Sequence, residues 1–179
     1  MLSTDTCALV VIDIQGKLAK LMYDKDELLS NTVKLVRGAR ALGVPIVWTE
    51  QLPDKIGETA PKLKAELAGL TPIVKKHFSC CGEPAFHREL QRVNRKQILV
   101  AGIEAHICVY QTILDLLGFG LEVHAVADAI SSRARRNYDI AMRRIWEEGA
   151  RVTGVEMVLF ELLKVAEGEK FKQVLKIIK

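Results

Sequence analysis

The chain has 179 residues, 49% of them hydrophobic, with 26 Lys and Arg against 22 Asp and Glu for a formal charge of +4. That length suits one domain spanning residues 1–179, and the apolar content fills a core, which excludes wholesale disorder. The basic residues are dispersed; the densest group (Arg133, Arg135, Arg136, Arg143, Arg144) has helical spacing and no interleaved aromatics, so it reads as a solvated face and no nucleic-acid partner is expected.

Short β-rich runs alternate with longer amphipathic segments. Cys7 to Ile12 (CALVVI) is continuously apolar, as a strand covered on both faces must be. Asp24 to Leu42 repeats Leu28, Leu29, Val33, Leu35, Val36 and Ala39 at helical spacing and stops at Gly43. Val44 to Trp48 is a second strand with proline at its entry, followed by a loop containing Pro53, Gly57 and Pro61 and a short helix near Leu63 to Leu67. Thr71 to Lys75 reads as a third strand, Glu83 to Val93 as a helix with Pro84 in its first turn, and Gln97 to Ala101 as a fourth strand. His106 to Leu117 is helical and ends at Gly118, Leu121 to Ala127 is a fifth strand, and Arg133 to Glu148 is a helix stopped by Gly149. Arg151 to Gly154 is a short sixth strand, and Glu156 to Lys179 is one or two helices interrupted near Gly168. The alternation predicts an α/β fold, a three-layer α/β/α arrangement with a six-stranded, mostly parallel sheet. Ligands of such sheets lie beyond the carboxyl ends of the strands, and Asp13, Lys75 and the turn before Cys108 all follow strand ends.

Those three residues form a candidate catalytic group. Asp13 directly follows Val10-Val11-Ile12, so its carboxylate is expected to be partly desolvated and suited to moving protons. Side chains alternate along a strand, so only one of Lys75 and Lys76 can face the site. Cys108 falls near a helix start, where free N–H groups and the helix dipole are expected to favour a thiolate and could also hold an oxyanion. Cys7 reads as sheet core, and the Cys80-Cys81 pair as loop; with no CxxC, a thiol-redox protein is a weak reading.

Among the histidines, His124 reads as structural, while His77 and His106 flank the proposed site. No His or Cys spacing suggests a metal, and neither GxGxxG after a strand nor GxxxxGK[ST] occurs, so no metal and no cofactor are expected. The chain opens Met1-Leu2-Ser3-Thr4-Asp5-Thr6 without a basic region and long apolar stretch, and no apolar run exceeds a strand's length. The expectation is a reducing, cytoplasmic setting with no membrane partner.

From about residue 5 to 160 the chain resembles the isochorismatase-like cysteine hydrolase superfamily. The resemblance is carried by Val10-Val11-Ile12-Asp13-Ile14-Gln15, by Lys75-Lys76-His77-Phe78-Ser79, by Gly102-Ile103-Glu104-Ala105-His106-Ile107-Cys108-Val109, and by Ala127-Asp128-Ala129. It implies a Cys-Asp-Lys triad of Cys108, Asp13 and Lys75, the lysine being the one four residues before Ser79. It also implies a sheet order of 3-2-1-4-5-6, a non-proline cis peptide between Ile103 and Glu104, and an oxyanion hole of the Glu104 and Cys108 N–H groups. Nicotinamidase-like members carry an Asp-x-His and a further His that bind a metal; the corresponding Trp48-Thr49-Glu50-Gln51-Leu52-Pro53 has no histidine, which argues against nicotinamide and a metal. The run resembles instead the isochorismatase-domain subgroup without an assigned substrate. Cys108 also argues against isochorismate, whose vinyl ether the family hydrolyses without a cysteine nucleophile.

The expectation is therefore a cofactor-free hydrolase acting on a C–N bond of a small amide or related acyl compound, with Gln15, Gln51, Phe78 and His106 as candidate pocket residues. The alternative is a catalytically silent binding or scaffold protein of the same fold. Apolar residues Phe160, Leu162, Leu163, Val165 and the Leu175 to Ile178 run suggest a homo-oligomer contact.

Overall fold

A computed structural model describes residues 1–179. Six strands, β1 (Cys7–Ile12), β2 (Ile46–Gln51), β3 (Ile73–Lys75), β4 (Gln97–Ile103), β5 (Glu122–Ser131) and β6 (Arg151–Thr153), form one sheet in the order β3-β2-β1-β4-β5-β6. Every neighbouring pair is parallel. The expected three-layer α/β/α architecture and strand order are both present.

Alternation within the central strands divides the core. Cys7, Leu9 and Val11 of β1 join a cluster of 29 buried residues on one face, and Ala8, Val10 and Ile12 join a cluster of 21 on the other. The first face is covered by α2 (Lys25–Leu42), α8 (Val155–Leu163) and α9 (Gly168–Ile178), and the second by α5 (Pro84–Val93), α6 (Tyr110–Gly118) and α7 (Arg135–Glu147). A continuous apolar run is required because neither face of β1 meets water. Helix α2 ends as expected at Gly43, whose φ of 76° is the left-handed conformation glycine reaches without steric cost.

Several boundaries move for physical reasons. β2 begins two residues later than expected and continues through Thr49-Glu50-Gln51, because Thr49 to Gln51 pair in register with Ile73 to Lys75. β4 reaches Ile103 and β5 reaches Ser131, the two resuming their pairing after a register shift between Val100 and Gly102. Three four- to six-residue helices, α1 (Gly16–Ala19), α3 (Pro53–Ile56) and α4 (Pro61–Glu66), punctuate the loops after β1 and β2; only α4 was expected. The C-terminal segment is two helices. Leu162 is buried in the core and Phe160, Leu163 and Ile178 pack partly against it, while Val165 is 55% exposed.

The chain leaves β1 toward β2 and β3, then returns to place β4 on the opposite side of β1. That reversal opens a crevice at the carboxyl ends of β1 and β4, where ligands of open α/β sheets bind. Gly102 sets its width. Its φ is +139°, and an added Cβ would fall 2.2 Å from the Ile12 carbonyl oxygen and 2.7 Å from the Ile12 nitrogen. Both the conformation and the space admit glycine alone. Gly102→Ala is expected to cost about 3 kcal/mol or more in urea denaturation; a loss below about 1 kcal/mol would mean the β1–β4 spacing relaxes freely.

Candidate active site

β1 delivers Asp13. The residue turns out of the strand at φ 50°, a left-handed conformation uncommon outside glycine but tolerated best by Asp and Asn. Its carboxylate is 2% exposed. One oxygen accepts the Thr49 hydroxyl at 2.7 Å, and the other lies 2.6 Å from the Lys75 ammonium. Ile12 pairs with Thr49 across β1 and β2, which is what carries the hydroxyl to the carboxylate.

β3 delivers Lys75, and inverts the usual rule of burial. Val74 is 55% exposed while Lys75 is 1% exposed, so alternation turns the lysine inward and sends Lys76 to solvent. A buried ammonium requires a full set of acceptors. Lys75 has Asp13, the side-chain oxygen of Gln51, and the carbonyls of His77 and Phe78, each carbonyl at 3.0 Å. Burial by itself would pull the ammonium toward neutrality, but its acidic neighbours, the Asp13 carboxylate first, outweigh that and the net shift is upward. Lys75 is therefore cationic. Burial pushes the Asp13 carboxyl upward, against the opposing pull of Lys75 and Thr49.

β4 delivers Cys108. After Gly102 the Ile103–Glu104 peptide is cis, as the resemblance implied, and Ala105–Val109 form a single π-turn before α6 begins. Val109 N–H donates to the Glu104 carbonyl and Tyr110 N–H to the Ala105 carbonyl, the wider spacing of that turn. The Cys108 thiol interacts with the Asp13 carboxyl and feels the Lys75 charge. Its expected acidity is corrected: burial, then Asp13, pushes the thiol up to about 12, with Lys75 offsetting only part. The helix-start argument fails because the sulfur sits inside a π-turn at 8% exposure, where desolvation outweighs the dipole.

Asp13, Cys108 and Glu104 line a cavity of about 140 Å³. Its walls are Leu18, Ile56, Phe78, Ile103 and Ile107, with Gln51 as the other polar side chain. The Glu104 carboxylate is turned away to Arg133, accepting its backbone N–H and its Nε, each at 3.0 Å. No group of three or more His, Cys, Asp or Glu side chains is arranged to hold a metal ion.

Of the four pocket candidates, Gln51 and Phe78 line the cavity and two do not. Gln15 is wholly buried and spent on backbone, its amide nitrogen donating to the Gln51 and Gly57 carbonyls and its oxygen accepting the Gln51 N–H. It ties the α1 segment to the end of β2. His106 is carried by the π-turn to the far side, where its Nδ1 meets Ser132 Oγ at 3.0 Å and its Nε2 approaches Asn137. His77 pairs with Glu83, and His124 is buried against Glu122 as a structural residue. Cys80 and Cys81 are buried in a 3₁₀ turn and, like Cys7 and Cys108, unbridged. Thr49 is the polar contact that sequence reasoning missed; the signal would have been a second strand continued past Trp48. Leu18 and Ile56 were missed because they lie in helices too short to register as periodicity.

The isochorismatase domain model matches residues 7–157, and the chain belongs to the isochorismatase-like hydrolase family. It is 35% identical over 177 residues to the isochorismatase domain-containing protein 2 of Danio rerio, covering 99% of this chain and 89% of that protein. Its fold is similar to a solved structure from Caenorhabditis elegans described as MAR1 ribonuclease, with TM-score 0.92 and 38% identity over 99% of this chain and 91% of the other. It is also similar to YcaC from Pseudomonas aeruginosa, solved with hexane-2,5-diol and covalent acrylamide, with TM-score 0.92 and 25% identity over 98% and 90% of the two chains.

Two outcomes follow from the buried charges and thiols. Lys75→Met strands the Asp13 carboxylate and is expected to cost about 3–5 kcal/mol of stability; adding Asp13→Asn should recover much of that loss in chemical denaturation, and strict additivity of the two changes would mean the pair is uncoupled. Cys80, Cys81 and Cys108 are each pushed to about 12 from an ordinary 9.0, mainly by burial. The unfolded chain then loses these protons near pH 9 while the folded chain keeps them toward 12. Stability present below pH 9 should fall as pH rises through that window, by about 1.4 kcal/mol per pH unit for each thiol. A denaturation midpoint unchanged from pH 9 to 11 would remove the argument.

Proposed function

We propose that the protein is a cofactor-free hydrolase that cleaves a C–N bond in a small amide or related acyl compound, with Cys108 as nucleophile, Asp13 as proton carrier and Lys75 as the fixed charge that orients Asp13. The single observation that carries this reading is Asp13 paired with a buried ammonium and lining, with the Cys108 thiol, one half-open cavity.

The resting thiol is neutral, so activation must accompany attack. Asp13 takes the Cys108 proton as the sulfur bonds to the substrate carbonyl carbon, and the carbonyl π electrons move onto oxygen. The Glu104 and Cys108 N–H groups receive that oxyanion, a contribution of about 3–4 kcal/mol per donor in comparable sites. Collapse breaks the C–N bond, the amine leaves with the proton held by Asp13, and a thioester remains on Cys108. Asp13, again a carboxylate, draws a proton from water as the water oxygen adds to the thioester; the acid departs and the proton returns to sulfur. The sum is amide plus water giving acid plus amine. Lys75 keeps its proton throughout, because four oxygen acceptors surround it.

The covalent acrylamide in the Pseudomonas aeruginosa relative makes acrylamide, which alkylates thiols through its C=C bond, a suitable probe of Cys108 reactivity. The ribonuclease description of the nematode relative is less compatible with this cavity: about 140 Å³ is too small for a nucleotide, and no basic side chain lines it. Four unbridged cysteines suit a reducing, cytoplasmic setting, and no helix is long and apolar enough to cross a membrane.

The test is turnover of a panel of small amides by the wild-type protein and by Cys108→Ala. The variant is expected to keep its fold by circular dichroism and to lose hydrolysis by at least about 1000-fold. Full activity in Cys108→Ala would eliminate the covalent route, and a silent panel with a Cys108 inert to acrylamide would favour a binding or scaffold role.

A further inference from the structure

The catalytic cavity is selective in charge as well as in shape. Its two carboxylates are already matched, Asp13 by Lys75 and Glu104 by Arg133. Lys75 is not part of the lining, and its ammonium is consumed by four acceptors. Gln51 gives its amide oxygen to Lys75 and its amide nitrogen to the Lys76 carbonyl. Among side chains, what is left facing a ligand is hydrocarbon from Leu18, Ile56, Phe78, Ile103 and Ile107, together with the thiol; the backbone N–H groups of Glu104 and Cys108 are reserved for the carbonyl oxygen. No cation and no uncommitted side-chain donor waits for a carboxylate or a phosphate.

Size adds a second limit. A cavity of about 140 Å³ is close to the ~150 Å³ apolar cavity that takes up benzene, which corresponds to roughly six non-hydrogen atoms. Phe78 is 56% exposed, the most exposed of the lining side chains, and so is the residue a longer chain would meet on leaving the cavity.

We propose that the acyl half of the substrate is neutral and apolar, a short branched or unbranched aliphatic group that with its carbonyl has no more than about six non-hydrogen atoms, and that amides bearing an anionic group are excluded. This rests on the hydrolase reading above. An anion placed here would give up its hydration for hydrocarbon beside the Asp13 carboxylate, with no free positive partner to compensate.

The experiment compares 3-methylbutanamide with its carboxylate isostere malonamate, and with octanamide as a long-chain control. Ammonia release gives kcat/KM for the wild-type protein and for Phe78→Ala. Binding of each amide to Cys108→Ala, followed by NMR titration, is scored separately from turnover. The expected result is a preference of at least about 100-fold for 3-methylbutanamide over malonamate, with octanamide about 10-fold poorer than 3-methylbutanamide and that penalty reduced in Phe78→Ala. Malonamate turned over as well as 3-methylbutanamide would overturn the inference and leave the hydrolase reading standing. No turnover of any amide, with 3-methylbutanamide but not malonamate bound by Cys108→Ala, would sink the hydrolase reading and support the inference. Equal binding of the two isosteres, or binding of neither, would overturn the inference.

Discussion

An aspartate and a lysine, both removed from water and 2.6 Å apart, are the constraint on which the carboxyl edge of the sheet depends. Burying either ion alone costs several kcal/mol, and mutual attraction compensates only when every remaining lone pair and proton also finds a partner. The surrounding residues meet most of that requirement, although Asp13 Oδ2, beside the ammonium, makes no hydrogen bond. Thr49 satisfies the free oxygen of Asp13, and Gln51 with two backbone carbonyls satisfies Lys75. β1, β2 and β3 must each end at a fixed residue for this to happen, so the register of half the sheet is tied to one ion pair.

The thiol belongs to the same electrostatic unit, with the opposite consequence. A positive neighbour ordinarily makes a cysteine more acidic, and Lys75 does act in that direction. Burial and the larger influence of Asp13 prevail, and Cys108 rests protonated. A neutral resting thiol fits the proposal that the proton of Cys108 moves to Asp13 only as the sulfur attacks. It also leaves the pocket with no net charge of its own, since each carboxylate on the lining is neutralised from behind.

The walls of that pocket have a different origin from its chemistry. Lys75 lies in β3, Asp13 directly follows β1, and Cys108 sits in the π-turn after β4. Leu18 and Ile56 come from four-residue helices in the loops after β1 and β2, anchored by the side chain of Gln15 across the two segments. Rigid chemistry on strands and adjustable walls on loops is the division by which one fold accommodates different substrates.

The sequence by itself determined what depends on local pattern. The apolar run of β1, the periodicity of α2 and its stop at Gly43, and the order of strands and helices follow from alternation, helical spacing and glycine geometry, all of which act over a few residues. Asp13, Lys75 and Cys108 were legible as strand-end residues, and a family resemblance selected Lys75 over its neighbour. Tertiary structure decided the rest. Thr49 reaches Asp13 only because β2 pairs in register with β1; Gln15 and His106, near in sequence to site residues, are turned elsewhere by a buried backbone network and by a π-turn. The acidity of Cys108 likewise reversed, because desolvation depends on what the rest of the chain packs around a sulfur, and no stretch of nine residues contains that information.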